Sequence, residues 1–154
     1  MIRGLSYFAQ FRALGTTQQR MLLVAWAWLP VFWLGLRVLG LSRFQVWLQR
    51  STALPIRDSL AISDIEAFSK SVNIAARHTP FPTTCLTRSL LLNWMLRQRG
   101  ISSTLRIGVR LSSGALYAHA WVERRGVPVN DRPDIATEFA AFEDAVPSTA
   151  FDRA

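Results

Sequence analysis

Apolar and polar positions follow four different patterns along the chain. From Met21 to Leu36 the sequence is uncharged, reading MLLVAWAWLPVFWLGL between Arg20 and Arg37. These 16 residues fall short of the roughly 20 needed to cross a bilayer. Pro30 and Gly35 interrupt the run, which points to a pair of buried or partner-facing helices. Further on, Ser63-Asp64-Ile65-Glu66 has the form of a capping box. Ile65, Phe68, Val72 and Ala75 or Ala76 then recur at helical spacing. This helix should end near His78, ahead of the breaker stretch Thr79-Pro80-Phe81-Pro82.

A third segment starts with Thr83 or Thr84 as N-cap and Cys85 in the first turn. Leu86, Leu90, Met95 and Leu96, helped by Trp94, give it an apolar stripe. Arg97 and Arg99 complement the C-terminal dipole, and Gly100 supplies the left-handed stop. The period then changes to two. Leu105, Ile107, Val109 and Leu111 alternate with Arg106, Gly108 and Arg110. After a turn at Ser112-Ser113-Gly114, Leu116, Ala118, Ala120 and Val122 alternate with Tyr117, His119, Trp121 and Glu123. One face is expected to pack on the core, and the other to carry His119 between Tyr117 and Trp121, which could wall a substrate cleft. The elements predict an α+β fold with a helical N-terminal region, residues 1–54. The remainder, 55–154, is a core in which a helix starting at the candidate nucleophile packs on an antiparallel sheet. A break is expected at Thr52-Ala53-Leu54-Pro55.

Composition narrows the possible functions. The chain has 154 residues, enough for one domain with a real core, and half of them are hydrophobic. Its formal charge is +8, and Lys70 is the single lysine among 18 basic residues. No arginine cluster exceeds two and no nucleic-acid motif appears, so an acidic peptide, a partner or an anionic lipid surface accounts better for the charge. Residues 1–54 contain four of the six tryptophans and no acidic residue. Trp beside Arg suits contact with a partner or peripheral contact with a membrane, here through residues 21–50. Trp26, Trp28, Trp33 and Trp47 are the candidate docking residues. No cleavage pattern of a signal peptide follows the apolar run. One cysteine excludes an internal disulfide and fits a reducing cytoplasm. One Cys and two His without a close-spaced pair are thin for a metal site, and no phosphate loop or dinucleotide fingerprint occurs, so no cofactor is expected. His78 reads as structural or exposed.

The candidate chemistry lies in Cys85, His119 and Asp131, in that order, the chain order of thiol hydrolases and acyl transferases. Backbone N–H groups at a helix N-terminus stabilise negative charge on a cysteine sulfur and can donate to an oxyanion. A small buried cysteine is the plainer alternative. Arg124-Arg125-Gly126 suits a three-residue hairpin loop, whose register would set His119 opposite Asp131. A carboxylate there selects the tautomer and orients the ring, leaving the other nitrogen for the thiol. A two-residue loop would bring Asn130 opposite His119 instead, and Asp134 is a weaker candidate on the surface.

Cys85-Leu86-Thr87-Arg88-Ser89-Leu90, the Leu96-Arg97-Gln98-Arg99-Gly100 helix end, Ile107-Gly108-Val109, Ala118 through Glu123 and Gly126 through Asp131 carry a resemblance. Together they resemble the transglutaminase-like peptidase of lasso-peptide biosynthesis, in its stand-alone form, over roughly residues 60–135. Cys85 precedes His119 by 34 residues, and Asp131 follows after 12 more. The resemblance implies a transglutaminase-like, papain-like core and a cysteine peptidase that removes the leader from a ribosomally made precursor peptide. Cys85 would be nucleophile, His119 general base and then acid, and Asp131 orienter. It implies three partners: the precursor peptide, a small leader-recognition protein, and a macrolactam synthetase that uses ATP, a cofactor of the synthetase and not of this chain. Pro128 departs from a regular last strand, since it cannot donate to a ladder. Two other readings keep the same residues: acyl transfer to an amine, or a non-catalytic adaptor for precursor and synthetase.

Overall fold

The computed structural model describes residues 15–50 and 62–142. Helix α1 spans Thr16–Arg50, with a break at Gly40, where φ is 72° and ψ 172°. The expected pair of helices is therefore present, but it divides at Gly40. Pro30 stays inside the first part, and Gly35 sits against the ring of Phe44, where a Cβ would collide. The glycine lets the short second segment fold close to the first. Phe44 meets Phe32 edge to face, with centroids 5.2 Å apart.

Helix α2 covers Ile62–Arg77 and α3 covers Cys85–Arg97. Ile65, Phe68, Val72 and Ala75 are buried at the expected spacing, and His78 is exposed, bonded through Nδ1 to the Ile74 carbonyl at 2.8 Å. The side chain of Ser63, the expected cap, and the break expected at 52–55, with its boundary at 54/55, lie outside the described residues. Thr84 caps α3 by accepting the Thr87 N–H at 3.2 Å. At the other end Ile101 N–H donates to the Leu96 carbonyl and Gly100 N–H to that of Arg97. Gly100, with φ 72°, closes the helix in the left-handed conformation that glycine tolerates best.

Strands β1 (Thr104–Ser112), β2 (Ala115–Arg124), β3 (Val127–Pro128) and β4 (Ala140–Ala141) form one sheet in the order β3-β2-β1-β4. The β1–β2, β2–β3 and β1–β4 pairings are antiparallel. A one-turn helix α4, Ile135–Glu138, lies between β3 and β4. Ser113 and Gly114 connect β1 to β2 with φ of 51° and 78°, both left-handed as a two-residue primed turn requires. The fold is thus α+β, with a helical N-terminal region and a helix beginning at Cys85 packed on an antiparallel sheet.

The main core is shared by α1, α2, α3 and the inner end of the sheet. Met21, Ala25, Leu29 and Phe32 of α1 meet Phe68 and Val72 of α2, Leu91 and Met95 of α3, and Leu105 and Val122 of the strands. Trp28 packs against Trp94, the rings tilted by 48° with centroids 4.7 Å apart. Trp121, Ile135 and Phe139 make a second cluster.

Two expectations about the sheet change. The apolar face is buried at Leu105, Ala120 and Val122, whereas Leu111 and Leu116 at the hairpin tip are exposed. A ten-residue strand extends about 33 Å, but a 13-residue helix covers only about 20 Å of it. The opposite face is not open either, because α4 and Phe139 cover its inner half.

Candidate active site

Cys85 is the first residue of α3 and is partly buried. The first N–H groups of a helix have no intrahelical partner. Thr84 Oγ1 takes that of Thr87, and among the described residues the N–H groups of Cys85 and Leu86 meet no acceptor. Among the described residues the thiol has no hydrogen-bond partner.

His119 and Asp131 come together. Nε2 of His119 lies 2.6 Å from Oδ2 of Asp131, and Oδ1 of Asp131 accepts the Arg132 N–H at 2.9 Å. A carboxylate only accepts hydrogen bonds, so the shared proton sits on Nε2, and Nδ1 is the nitrogen available to a thiol. Aromatic rings fix the imidazole plane: Phe139 lies 5.2 Å from it, and Trp121 lies nearly parallel at 6.3 Å.

The route to this pair differs from the expected one. Arg125 and Gly126, with φ of 51° and 78°, make a two-residue loop, so Arg124 pairs with Val127 and Glu123 with Pro128. Continued regularly, that register would place Arg132 opposite His119, not the Asn130 expected of a two-residue loop, because the loop is Arg125-Gly126 and not Arg124-Arg125. The ladder instead ends after Pro128, with one further bond from Val129 N–H to the Val122 carbonyl. Asp131 reaches His119 from an irregular bend. Pro128 is paired with Glu123 on the edge strand and its missing N–H faces outward, so the departure comes after Val129, where the bend restores the His119–Asp131 pair.

Asn130, the alternative orienter, does not touch His119. Its Oδ1 accepts the Val122 N–H, and its Nδ2 donates to Ser89 Oγ, each at 2.8 Å. Ser89 Oγ in turn donates to the Ala120 carbonyl at 2.8 Å. Asp134 is exposed, 3.9 Å from Arg132. Of the two residues expected to wall a cleft, Tyr117 is half exposed, with the Arg110 guanidinium 5.8 Å from its ring centre. Trp121 is 0% exposed and so has no surface to offer a substrate. It lies under the site, and its Nε1 donates to Glu123 at 2.8 Å.

Three residues near the site escaped the sequence reading. Gly108 pairs with His119 across the β1–β2 ladder. A Cβ there would lie 2.9 Å from Trp121 and 3.0 Å from Phe139. Phe139 comes from beyond the expected core elements. Ser89 stood in the quoted motif without a role, although a hydroxyl in the apolar middle of a helix, one turn after a candidate nucleophile, was a usable signal. Among the described residues no group of three or more His, Cys, Asp or Glu side chains converges as metal ligands would.

A model of the transglutaminase-like superfamily matches residues 22–143. The chain belongs to that superfamily. The match takes in α1 as well as the Cys85 helix and the sheet, in keeping with their common core. The chain is also similar to the microcin J25-processing protein McjB of Escherichia coli, with 36% identity over 64 residues. That stretch is 42% of this chain and 30% of the relative, so the chain spans less than a third of the relative's length. No solved structure matches the chain.

Proposed function

We propose that this member of the superfamily is a cysteine peptidase that removes the leader from a lasso-peptide precursor. The observation that carries the proposal is the bond between His119 and Asp131. It leaves Nδ1 available as a base, on a strand packed against the helix that begins with Cys85. The likeness to a microcin-processing protein supports a processing role for the peptide substrate.

In the proposed reaction Nδ1 of His119 takes the thiol proton, and the Cys85 sulfur attacks the scissile carbonyl. The N–H groups of Cys85 and Leu86 stabilise the oxyanion. His119, paired with Asp131, gives its proton to the departing amine, which becomes the N-terminus of the core peptide. Water, deprotonated by the same nitrogen, then cleaves the thioester and releases the leader as an acid.

The partners in this proposal are the precursor, a small leader-recognition protein and a macrolactam synthetase. ATP is used by the synthetase and not by this chain. The reaction is assigned to the reducing cytoplasm, where an unpaired thiol is most easily kept. The outer face of α1 is the surface assigned to the recognition protein. Leu23, Val24, Trp26, Val31, Leu34 and Val38 are exposed along it. Trp28 and Trp33 drop out of the docking set, because they pack inward on Trp94 and Phe81. This helix is also long and apolar enough to cross a membrane. Its inner face is engaged in the core, so contact with a bilayer would be through the outer face.

Incubating the Cys85→Ala variant with precursor and recognition protein tests the reading by mass spectrometry. The leader should stay attached. Normal cleavage by that variant would refute the assignment. Amide product in place of free acid, when a primary amine is added to the wild type, would make the enzyme an acyl transferase.

A further inference from the structure

Cys85, His119 and Asp131 sit on three separate pieces of chain: the start of α3, the middle of β2 and the bend after β3. Their relative placement depends on whatever ties those pieces together at the site. One continuous hydrogen-bonded chain does so. The Val122 N–H donates to Asn130 Oδ1, Asn130 Nδ2 donates to Ser89 Oγ, and Ser89 Oγ donates to the Ala120 carbonyl, each at 2.8 Å.

Three of its four members lie next to a reacting residue. Ser89 is one helical turn from Cys85, so the two share a face of α3, with Cβ atoms about 5–6 Å apart. Ala120 follows His119, and Asn130 precedes Asp131. The bonds also fall where regular structure stops. Ala120 O and Val122 N lie on the outer edge of β2, where β3 pairs only with Glu123 and Arg124. There the asparagine side chain continues the bonding that the strand has abandoned. Ser89 is 1% exposed, and a buried hydroxyl that both accepts and donates fixes its neighbours in direction as well as distance. A general α3–sheet contact would need only apolar packing, which Leu90 and Leu96 already supply.

We propose that Ser89 and Asn130 are positioning residues that hold the Cys85 thiol in register with the His119–Asp131 pair. The inference rests on the catalytic reading above. Neither residue touches substrate. Their bonds set the separation and angle between sulfur and imidazole, to which reaction rates are steeply sensitive. Losing either link lets the start of α3 move relative to β2 while the core beneath it stays packed.

The test measures coupling between thiol and imidazole without any substrate. The rate of Cys85 alkylation by iodoacetamide is compared with and without His119→Ala, in the wild type and in the Ser89→Ala and Asn130→Ala backgrounds. In the wild type His119→Ala should slow alkylation about tenfold. In either background His119→Ala should change it less than about twofold. Ser89→Thr, which keeps the hydroxyl, should restore most of the His119 dependence. Asn130 lies outside the helices and is only partly buried, so its variant keeps the test usable should Ser89→Ala unfold, as thermal melting would show. With precursor and recognition protein, Ser89→Ala and Asn130→Ala should each lower kcat about 10–100-fold with KM within about twofold. The double variant should be no worse than the poorer single one. A His119 effect of equal size in wild type and both backgrounds overturns the positioning role and leaves the peptidase reading intact. No His119 effect in the wild type removes the thiol–imidazole pair itself, and the peptidase reading with it.

Discussion

Adding one methyl group at Gly108 should disturb the site from below, without touching any residue of the proposed chemistry. Gly108 pairs with His119 in the ladder, and a Cβ there would lie 2.9 Å from the Trp121 ring and 3.0 Å from Phe139 Cβ. Neither neighbour can yield cheaply. Trp121 is fully buried and anchored to Glu123. The Phe139 atom adjoins its own backbone and cannot swing aside. Overpacking of this kind costs about 1–3 kcal/mol. Replacing glycine in a strand regains about 0.5–1 kcal/mol of backbone entropy. With neighbours this rigid the upper half of the first range, about 2–3 kcal/mol, applies, so the net loss is about 1–2.5 kcal/mol, a fall in Tm of about 2–10 °C for a chain of this size. Trp121 and Phe139 flank the imidazole, so the same strain should tilt His119 and lower kcat more than it raises KM. Thermal melting by circular dichroism, with cleavage kinetics on the same preparation, reads both effects. Gly114→Ala is the control. Its Cβ meets nothing within 4 Å, and it suffers only left-handed backbone strain at the remote hairpin tip, so stability should fall slightly and kcat hold. A Gly108→Ala protein as stable and active as the wild type would refute this account of how the sheet supports the site.

Asp131→Asn should lower kcat roughly 10²–10⁴-fold while the fold survives, because the amide can stabilise the wrong tautomer; less than a threefold loss in single-turnover cleavage would remove Asp131 as orienter. Asn130 should not compensate, since its side chain is committed to Ser89 and Val122. Glu123→Ala strips the partner from Arg106, at 3.1 Å, and from the buried Trp121 indole. It should cost about 2–3 kcal/mol in urea unfolding, and a cost under about 0.5 kcal/mol would mean that water replaces the carboxylate. Trp26→Ser with Val38→Ser changes only exposed positions on α1, so stability should shift by less than about 0.5 kcal/mol. Affinity for the recognition protein, measured by titration calorimetry, should fall at least tenfold. If that affinity holds and co-sedimentation with anionic vesicles is lost instead, the outer face belongs to a membrane.

The elements were legible where local chemistry governs them. The Thr84 cap, the Cys85 start, the Gly100 stop and the Ser113-Gly114 turn depend on near neighbours, and short-range rules find them. The pairing of His119 with Asp131 was legible as a pair, but the path to it was not. The three-residue loop assumed for Arg124-Arg125-Gly126 would have made the pair by register. The protein uses a two-residue loop and then leaves the ladder after Val129, where the Asn130 side chain takes the Val122 N–H in place of a backbone carbonyl. The reading of Trp121 failed for a different cause. Alternation separates the two faces of a strand but cannot tell whether a distant segment covers one of them. Here α4 and Phe139 do, and a residue expected at a cleft becomes the floor beneath it.

The first helix shows why composition alone misleads about independence. Its uncharged run suggests a separate docking element, yet its two sides have different roles. Met21, Ala25, Leu29 and Phe32 form a strip at helical spacing that is buried against α2 and α3. Trp28 and Phe32 both meet the Trp94 ring, on the helix that begins with Cys85. Removing the segment would expose Phe68, Met95 and Trp94 together, at about 1.5–3 kcal/mol for each large apolar side chain returned to water. That total rivals the whole stability of a domain this size. A truncation at residue 50 would thus abolish activity by unfolding α3, whatever the outer face binds. Only substitutions confined to the exposed side can separate support of the Cys85 helix from the proposed recognition of a partner.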